Sequence, residues 1–136
     1  MKNFRLALRH GALSGSIASL LSATALALCA RRETGSMFAA VNAVSHWIWG
    51  ERAALHNAPS LKHTAVGYAI HHGSAVFWGV LFERCASRLL DRRELGTTVV
   101  AAAGATALAC FVDYQLTPPR LQPGYEKRLS HGSLLL

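Results

Sequence analysis

The fold prediction starts from Thr64–Phe82, TAVGYAIHHGSAVFWGVLF, which contains no Lys, Arg, Asp or Glu. At about 1.5 Å per residue this stretch would form a helix of about 28 Å, close to the ~30 Å hydrocarbon core of a bilayer. Two adjacent histidines, His71 and His72, lie in its middle. Ionisable side chains at membrane depth usually face protein rather than lipid. The stretch therefore predicts a transmembrane helix whose histidines face the rest of the protein.

Three other uncharged runs of similar length extend this prediction to the whole chain, and most charged side chains lie between the runs. A soluble helical bundle would instead place charges along one face of every helix. Only 15% of the residues are charged, against roughly 25% in ordinary soluble domains. The sequence predicts one all-α domain, an integral membrane antiparallel four-helix bundle. Its helices are expected at about 10–30, 34–50, 64–82 and 95–112, with a polar tail at 113–136.

The basic start Met1–Arg9, followed by an apolar run, also fits a secretory signal peptide. The run at 10–30 is longer than the usual apolar core of about 7–15 residues in such peptides. We therefore expect this segment to be retained as the first helix.

The chain is basic, with a formal net charge of +7, which raises the question of nucleic-acid binding. The basic residues lie at the ends of the apolar runs, where they would meet anionic lipid head groups. No groove-reading helix, RNA-binding motif or zinc-finger spacing is present in the sequence. The lipid bilayer, rather than a nucleic acid, is the expected partner.

Small residues recur at helical spacing in two of the predicted helices. Gly11, Gly15 and Ser19 follow one another at four-residue intervals, and Gly96 and Gly104 lie on one stripe of the last helix. Such stripes let another transmembrane helix approach closely. We expect them to mediate helix packing, within the chain, in a homo-oligomer or with another membrane protein.

Polar groups are expected to gather in one half of the predicted bundle. An up-down-up-down topology would bring His46, His71 or His72, and Asp113 to the same side. Trp47 and Trp49, next to His46, are typical of the membrane–water interface and would act as anchors there.

This arrangement leaves four interpretations open. A metal site would use the histidines and Asp113 as ligands, and a haem b site would use His46 with His71 or His72 as axial ligands. A proton or ion path would use their titration near neutral pH. The fourth interpretation, which we favour, is that the histidines form hydrogen bonds between helices. No nucleophile elbow, phosphate-binding loop or dinucleotide fingerprint is present, so no catalytic residue is predicted.

The distribution of Lys and Arg gives a weak expectation for orientation. In the four-helix topology, eight basic residues lie on the side of the two termini and six on the other side. Cytoplasmic segments carry more Lys and Arg. Both termini are therefore expected to be cytoplasmic.

The C-terminal segment carries short motifs with a family resemblance. LTPP at Leu116–Pro119, PGYE at Pro123–Glu126 and SHG at Ser130–Gly132 follow directly on the last apolar run. This pattern resembles the YagU-like inner-membrane proteins of bacteria, which also have His-containing helices before an LTPP segment. The resemblance implies a multi-pass protein of a bacterial inner membrane, and it implies no catalytic residues.

The sequence therefore predicts a small, non-enzymatic, structural or accessory component of a bacterial inner membrane. A histidine-ligated metal or haem b protein is the first alternative. A small transporter or proton-conducting protein is the second.

Overall fold

The computed structural model describes residues 3–135, and all regular structure in that range is helical. The α-helices are α1 (Phe4–Thr34), α2 (Ala39–Val44), α3 (His46–Trp49), α4 (Val66–Cys85), α5 (Ser87–Leu90), α6 (Leu95–Phe111) and α7 (His131–Leu134). Shorter 3-10 or π turns occupy Glu51–Leu55, Leu61–Ala65, Val112–Leu116, Pro119–Leu121 and Tyr125–Lys127.

Helix α1 is longer than the predicted 10–30 because the basic N-terminal segment continues the same helix. It begins after Asn3, whose side-chain oxygen accepts a hydrogen bond from the backbone N–H of Arg5 at 3.1 Å. It ends at Gly35, which has a left-handed φ of +80° and donates its N–H to the carbonyl of Arg31 at 3.1 Å. A residue without a Cβ takes this conformation readily, so the glycine ends the helix.

Helices α1 and α4 form an antiparallel hairpin with very close backbones. A methyl group added at Gly15 would lie 2.6 Å from the carbonyl oxygen of Ala75, and one added at Gly79 would lie 2.6 Å from that of Gly11. Ser19, one turn after Gly15, meets His72. Residues Ala7, Gly11, Gly15 and Ser19 are buried and form the contact face of α1. Small side chains on this face allow the two helices to touch along their backbones.

The predicted second transmembrane helix at 34–50 is not one helix, and this prediction was wrong. The segment holds the short helices α2 and α3, which are followed by Gly50 at φ +79°. Asn42 explains the fold-back: its buried amide nitrogen donates to the carbonyls of His56 at 2.9 Å and Ala58 at 3.0 Å. Its amide oxygen accepts from Thr64 Oγ1 at 2.7 Å. A buried amide satisfied by loop backbone holds this segment against the start of α4.

The predicted polar tail is an integral part of the fold. Leu129 is only 6% exposed and packs in the core cluster with Cys29, Ala30, Ala39 and Ala40. This contact was not foreseen from the sequence, because the tail lacks apolar periodicity and is rich in Pro and basic residues.

Polar contacts hold the tail in place on both sides of Leu129. Ser130 donates both its backbone N–H, at 2.7 Å, and its hydroxyl, at 2.8 Å, to the carboxylate of Glu33. Arg128 donates to the carbonyl of Ala54 at 3.1 Å, and Lys127 forms an ion pair with Glu51. This ion pair lowers the pKa of the Glu51 carboxyl below its usual range.

Helix α6 starts after α5 at the C-terminal end of α4 and runs back along α4, so that Asp113 reaches Trp78. It has no buried residue. Two helices in the described part of the chain, Phe4–Thr34 and Leu95–Leu116, are long and apolar enough to cross a membrane. The stretch at 64–82 is not among them, since its paired histidines and its glycines lower its mean hydropathy.

The start of α1 and the C-terminal tail, as far as the structure describes them, lie at opposite ends of the α1–α4 hairpin. Phe4 lies near Arg84, whose guanidinium is 5.8 Å from the centre of the Phe4 ring, while the tail contacts Glu33 at the other end of α1. A bundle with both termini on one side requires a spanning helix at 34–50, and that helix is absent from the described structure. The expectation that both termini share one side therefore does not fit this arrangement.

Candidate functional site: a histidine and tyrosine network

His71, on the buried side of α4, forms hydrogen bonds through both of its ring nitrogens. Its Nε2 lies 3.3 Å from the carbonyl oxygen of Ser19 and 3.0 Å from Ser22 Oγ. Because a carbonyl can only accept, Nε2 carries the proton, and Nδ1 of the neutral ring accepts. The hydroxyl of Tyr125 donates to that Nδ1 at 2.5 Å. Burial raises the pKa of Tyr125 above its usual range, which keeps its hydroxyl protonated for this bond.

His72 also uses both nitrogens, and both partners lie on α1. Its Nε2 is 3.3 Å from Ser16 Oγ and its Nδ1 is 3.2 Å from Ser19 Oγ. The two adjacent histidines therefore connect α4 to three serines of α1 and to one tyrosine of the tail. These are interhelical hydrogen bonds of the kind that supplement close packing between membrane helices.

His46 lies in a separate environment, fully buried in α3. Its Nδ1 is 2.7 Å from the carbonyl oxygen of Ala43, so Nδ1 carries the proton and Nε2 holds a lone pair. That Nε2 is buried and has no hydrogen-bond partner among the described residues. Gly124, at φ +91°, lies against the ring, where an added methyl would be 2.9 Å from Nδ1. Both its conformation and this close approach require glycine at position 124.

Two acidic side chains of the C-terminal region lie close to Tyr114 and Tyr125. The indole of Trp78 lies beside the carboxylate of Asp113. The hydroxyl of Tyr114 lies near the carboxylate of Glu126, whose Oε2 is buried without a partner in the described residues. Among the described residues, neither carboxylate forms an ion pair with Lys or Arg.

The structure does not combine His46, His71, His72 and Asp113 into one ligand set. Within residues 3–135, no group of three or more His, Cys, Asp or Glu side chains is arranged to hold a metal ion. A metal bound to His71 or His72 would have to replace an existing hydrogen bond. Gly124 covers His46 and the next residue, Tyr125, bonds to His71, so this part of the tail separates the two histidines proposed as haem ligands.

The other predicted site residues divide into two groups. Gly11, Gly15 and Ser19 face α4, whereas Gly96 and Gly104 have open space where a Cβ would lie. Trp47 and Trp49 both lie at the end of the molecule that carries the tail. Trp47 Nε1 donates to the carbonyl of Gln122 and Trp49 Nε1 to that of Lys62, each at 2.8 Å.

Sequence reasoning named Ser19 as a packing residue, but it did not identify any hydrogen-bond partner of His71 or His72. Ser16, Ser19 and Ser22 recur every third residue of α1, and this spacing marks one helix face. That signal was available for Ser16 and Ser22, but Tyr125 carries no comparable signal. Its position follows from the fold of the tail, which the sequence pattern does not predict.

Comparison of this chain with protein-family models, with curated proteins and with solved structures finds no match. The functional argument therefore depends on the geometry.

Proposed function

We propose that this chain is a small multi-pass integral membrane protein with a non-enzymatic, structural or accessory role in a bacterial inner membrane. The observation that carries the proposal is the helical segment Leu95–Leu116, which is apolar and has no buried residue in its most apolar stretch. In water, so large an unburied apolar surface would promote aggregation. In a bilayer the same surface is solvated by lipid chains.

The distribution of side chains in α1 supports the same proposal. Its buried positions hold small residues, including Gly11, Gly15 and Ser19, and its exposed positions include Leu13 and Leu21. A soluble helix buries its large apolar residues and exposes polar ones. Small residues inside and large apolar residues outside are typical of helices that pack within lipid.

The bilayer is the first partner in this proposal, and α6 is the site for a second one. Gly96 and Gly104 leave room on its surface for the close approach of another helix, from a second copy or from another membrane protein. The resemblance of the LTPP and PGYE motifs to YagU-like proteins supports the bacterial inner membrane as the location.

The charges leave the orientation of the protein open. The end of the hairpin near Phe4 carries six described basic residues: Arg5, Arg9, Arg84, Arg88, Arg92 and Arg93. The end near the tail carries seven: Arg31, Arg32, Arg52, Lys62, Arg120, Lys127 and Arg128. The positive-inside rule therefore gives almost no preference between the two orientations.

A small proton-conducting protein is the second candidate function. Hydroxyl and imidazole groups alternate in two short series, Ser16 Oγ–His72–Ser19 Oγ and Ser22 Oγ–His71–Tyr125, and such groups can pass a proton. The two series meet at Ser19, whose hydroxyl contacts His72 and whose backbone carbonyl accepts from His71. The metal or haem b alternative has less support, because both nitrogens of His71 and of His72 already have partners.

Membrane association is tested by washing membranes that contain the full chain with alkaline carbonate. We expect the protein to stay in the pellet, because Leu95–Leu116 is embedded in lipid. The double variant Ala102→Lys, Ala105→Lys places two charges in that segment and should reduce insertion. The matched double variant His131→Lys, Leu135→Lys, at two exposed positions of the tail, should insert normally. Release of the unmodified chain by carbonate would contradict the proposal.

The two candidate functions are separated by proton flux into liposomes that contain a pH-sensitive dye. A structural role predicts the same proton leak with the unmodified chain as with Tyr125→Phe. Proton conduction through the network predicts a leak that Tyr125→Phe strongly reduces. A proton leak that Tyr125→Phe reduces would contradict the structural proposal and support proton conduction.

A further inference from the structure

An open groove of about 500 Å³ separates α4 from the C-terminal part of α6. Its walls include three aromatic side chains, Trp47, Phe77 and Trp78, together with Ile70. Phe77 is 61% exposed, so its ring is available to a ligand, and Gly73 leaves open space in the floor of the groove. The volume lies within the roughly 300–1,000 Å³ range of small-molecule sites.

A single ionisable side chain, Asp113, lines this groove, and no basic residue does. The indole of Trp78 lies beside the carboxylate as a polar neighbour. A carboxylate has about four acceptor positions, so most of its capacity is not used by Trp78. In the described part of the chain, no Lys or Arg forms an ion pair with Asp113.

We infer that the groove between α4 and α6 binds a hydrophobic organic cation, with Asp113 as the counter-charge and the three aromatic side chains as the contact surface. An ionised carboxylate in apolar surroundings is costly, and a positive partner stabilises it. Aromatic faces attract quaternary and similar cations through their electron-rich surfaces. The ligand class therefore combines one positive charge with a large apolar body. This inference goes beyond the structural role proposed above.

The composition of the groove favours this ligand over other occupants. A small metal cation requires several oxygen ligands, and among the groove residues Asp113 is the sole carboxylate. A lipid chain or an apolar helix from a second copy would fill the space but leave the charge of Asp113 without a partner. An organic cation satisfies both the shape and the charge.

The test uses the purified full chain in a neutral detergent and tetraphenylphosphonium as the probe. Binding is measured by equilibrium dialysis of the radiolabelled cation. We expect saturable binding that is roughly tenfold weaker or more in Asp113→Asn, because one charge partner is lost. The matched control is Asp91→Asn, which changes an exposed acid that follows α5, beyond the C-terminal end of α4. This variant should bind like the unmodified chain. Tetraphenylborate has the same shape and the opposite charge, so it should not compete.

A second variant keeps the test decisive if Asp113→Asn fails to fold. Phe77→Leu removes an exposed ring and should weaken binding severalfold while the melting temperature stays unchanged. Equal binding by the unmodified chain, Asp113→Asn and Phe77→Leu would overturn the inference, as would competition by tetraphenylborate. Absence of binding to the unmodified chain, with the groove filled by lipid or by a second copy, would also overturn it.

Discussion

Gly15 shows how strongly one atom can determine the packing of the hairpin. A methyl group at this position would lie 2.6 Å from the carbonyl oxygen of Ala75. We expect Gly15→Ala to destabilise the protein by roughly 1–3 kcal/mol, because two helix backbones would have to move apart. Gly104→Ala is the control, since nothing lies within 4 Å of the added methyl. It should be neutral or slightly stabilising, as alanine favours helix over glycine.

Thermal unfolding in detergent measures both glycine variants under the same conditions. Equal melting temperatures for Gly15→Ala and the unmodified chain would contradict the backbone contact between α1 and α4. A loss of stability in Gly104→Ala as large as in Gly15→Ala would show that α6 is also tightly packed.

The bond between Tyr125 and His71 is the residue-scale contact that ties the tail to α4. A double-mutant cycle with Tyr125→Phe and His71→Gln should give a coupling energy of about 0.5–1.5 kcal/mol. Tyr68→Phe is the control substitution, because the Tyr68 hydroxyl makes no hydrogen bond to His71 in the described structure. A cycle with Tyr68→Phe should be additive. Chemical unfolding of the four proteins of each cycle measures the two coupling energies. If the effects of Tyr125→Phe and His71→Gln on stability were additive, the hydrogen bond between these residues would be contradicted.

The sequence could predict part of the network at this scale. The cost of an ionisable group at membrane depth predicts that His71 and His72 face protein, and both histidines contact α1. It did not predict that His46 would be enclosed by Gly124, because that contact joins two segments with no periodic pattern. To predict which distant polar residues pair, one must know the fold of the loops as well as the positions of the helices.

At the scale of elements, the tail acts as a closing segment over the end of the hairpin. Leu129→Ala should cost about 2 kcal/mol or more, because Leu129 is 6% exposed and its truncation would leave a cavity beside Cys29. Leu135→Ala, at a position that is 88% exposed, should leave stability unchanged. Chemical unfolding of the two variants in detergent makes the comparison. Equal stability would mean that the tail does not contribute to the core.

The long helices were the elements that sequence could predict best. The runs at 10–30, 64–82 and 95–112 each fall within a helical segment, since uninterrupted apolar sequence favours helix over the length of a bilayer. The run at 34–50, between Glu33 and Glu51, is also uncharged, but its helix is interrupted at Ser45 and ends at Gly50. Its polar Asn42 finds three partners in the loop and in the turn before α4. The length of an apolar run alone does not show that such hydrogen bonds compete with the formation of one long helix.

At the scale of the whole molecule, two features differ from a soluble helical protein. Large apolar side chains cover the outside of α1 and α6, and small or polar side chains fill the contact between α1 and α4. The N-terminal end of α1 and the tail lie at opposite ends of the hairpin. Both features fit our proposal that the hairpin and α6 insert into lipid, with the polar tail and the α2–α3 region outside the bilayer.

The natural cysteines allow the most direct test of this arrangement. Cys110 is exposed on α6 and Cys85 is exposed at the end of α4, whereas Cys29 is buried. One variant, Cys29→Ala with Cys85→Ala, leaves Cys110 as the single thiol. The matched variant, Cys29→Ala with Cys110→Ala, leaves Cys85. Maleimide labelling needs the thiolate, which forms readily in water but not in hydrocarbon.

The decisive measurement is the labelling rate of these two variants with a charged maleimide in open membrane sheets, where both faces of the bilayer are accessible. Our account predicts that Cys85 reacts, and that Cys110 reacts only after the membrane is dissolved in detergent. Equal, rapid labelling of Cys110 and Cys85 in intact sheets would contradict the proposal that α6 lies in the membrane.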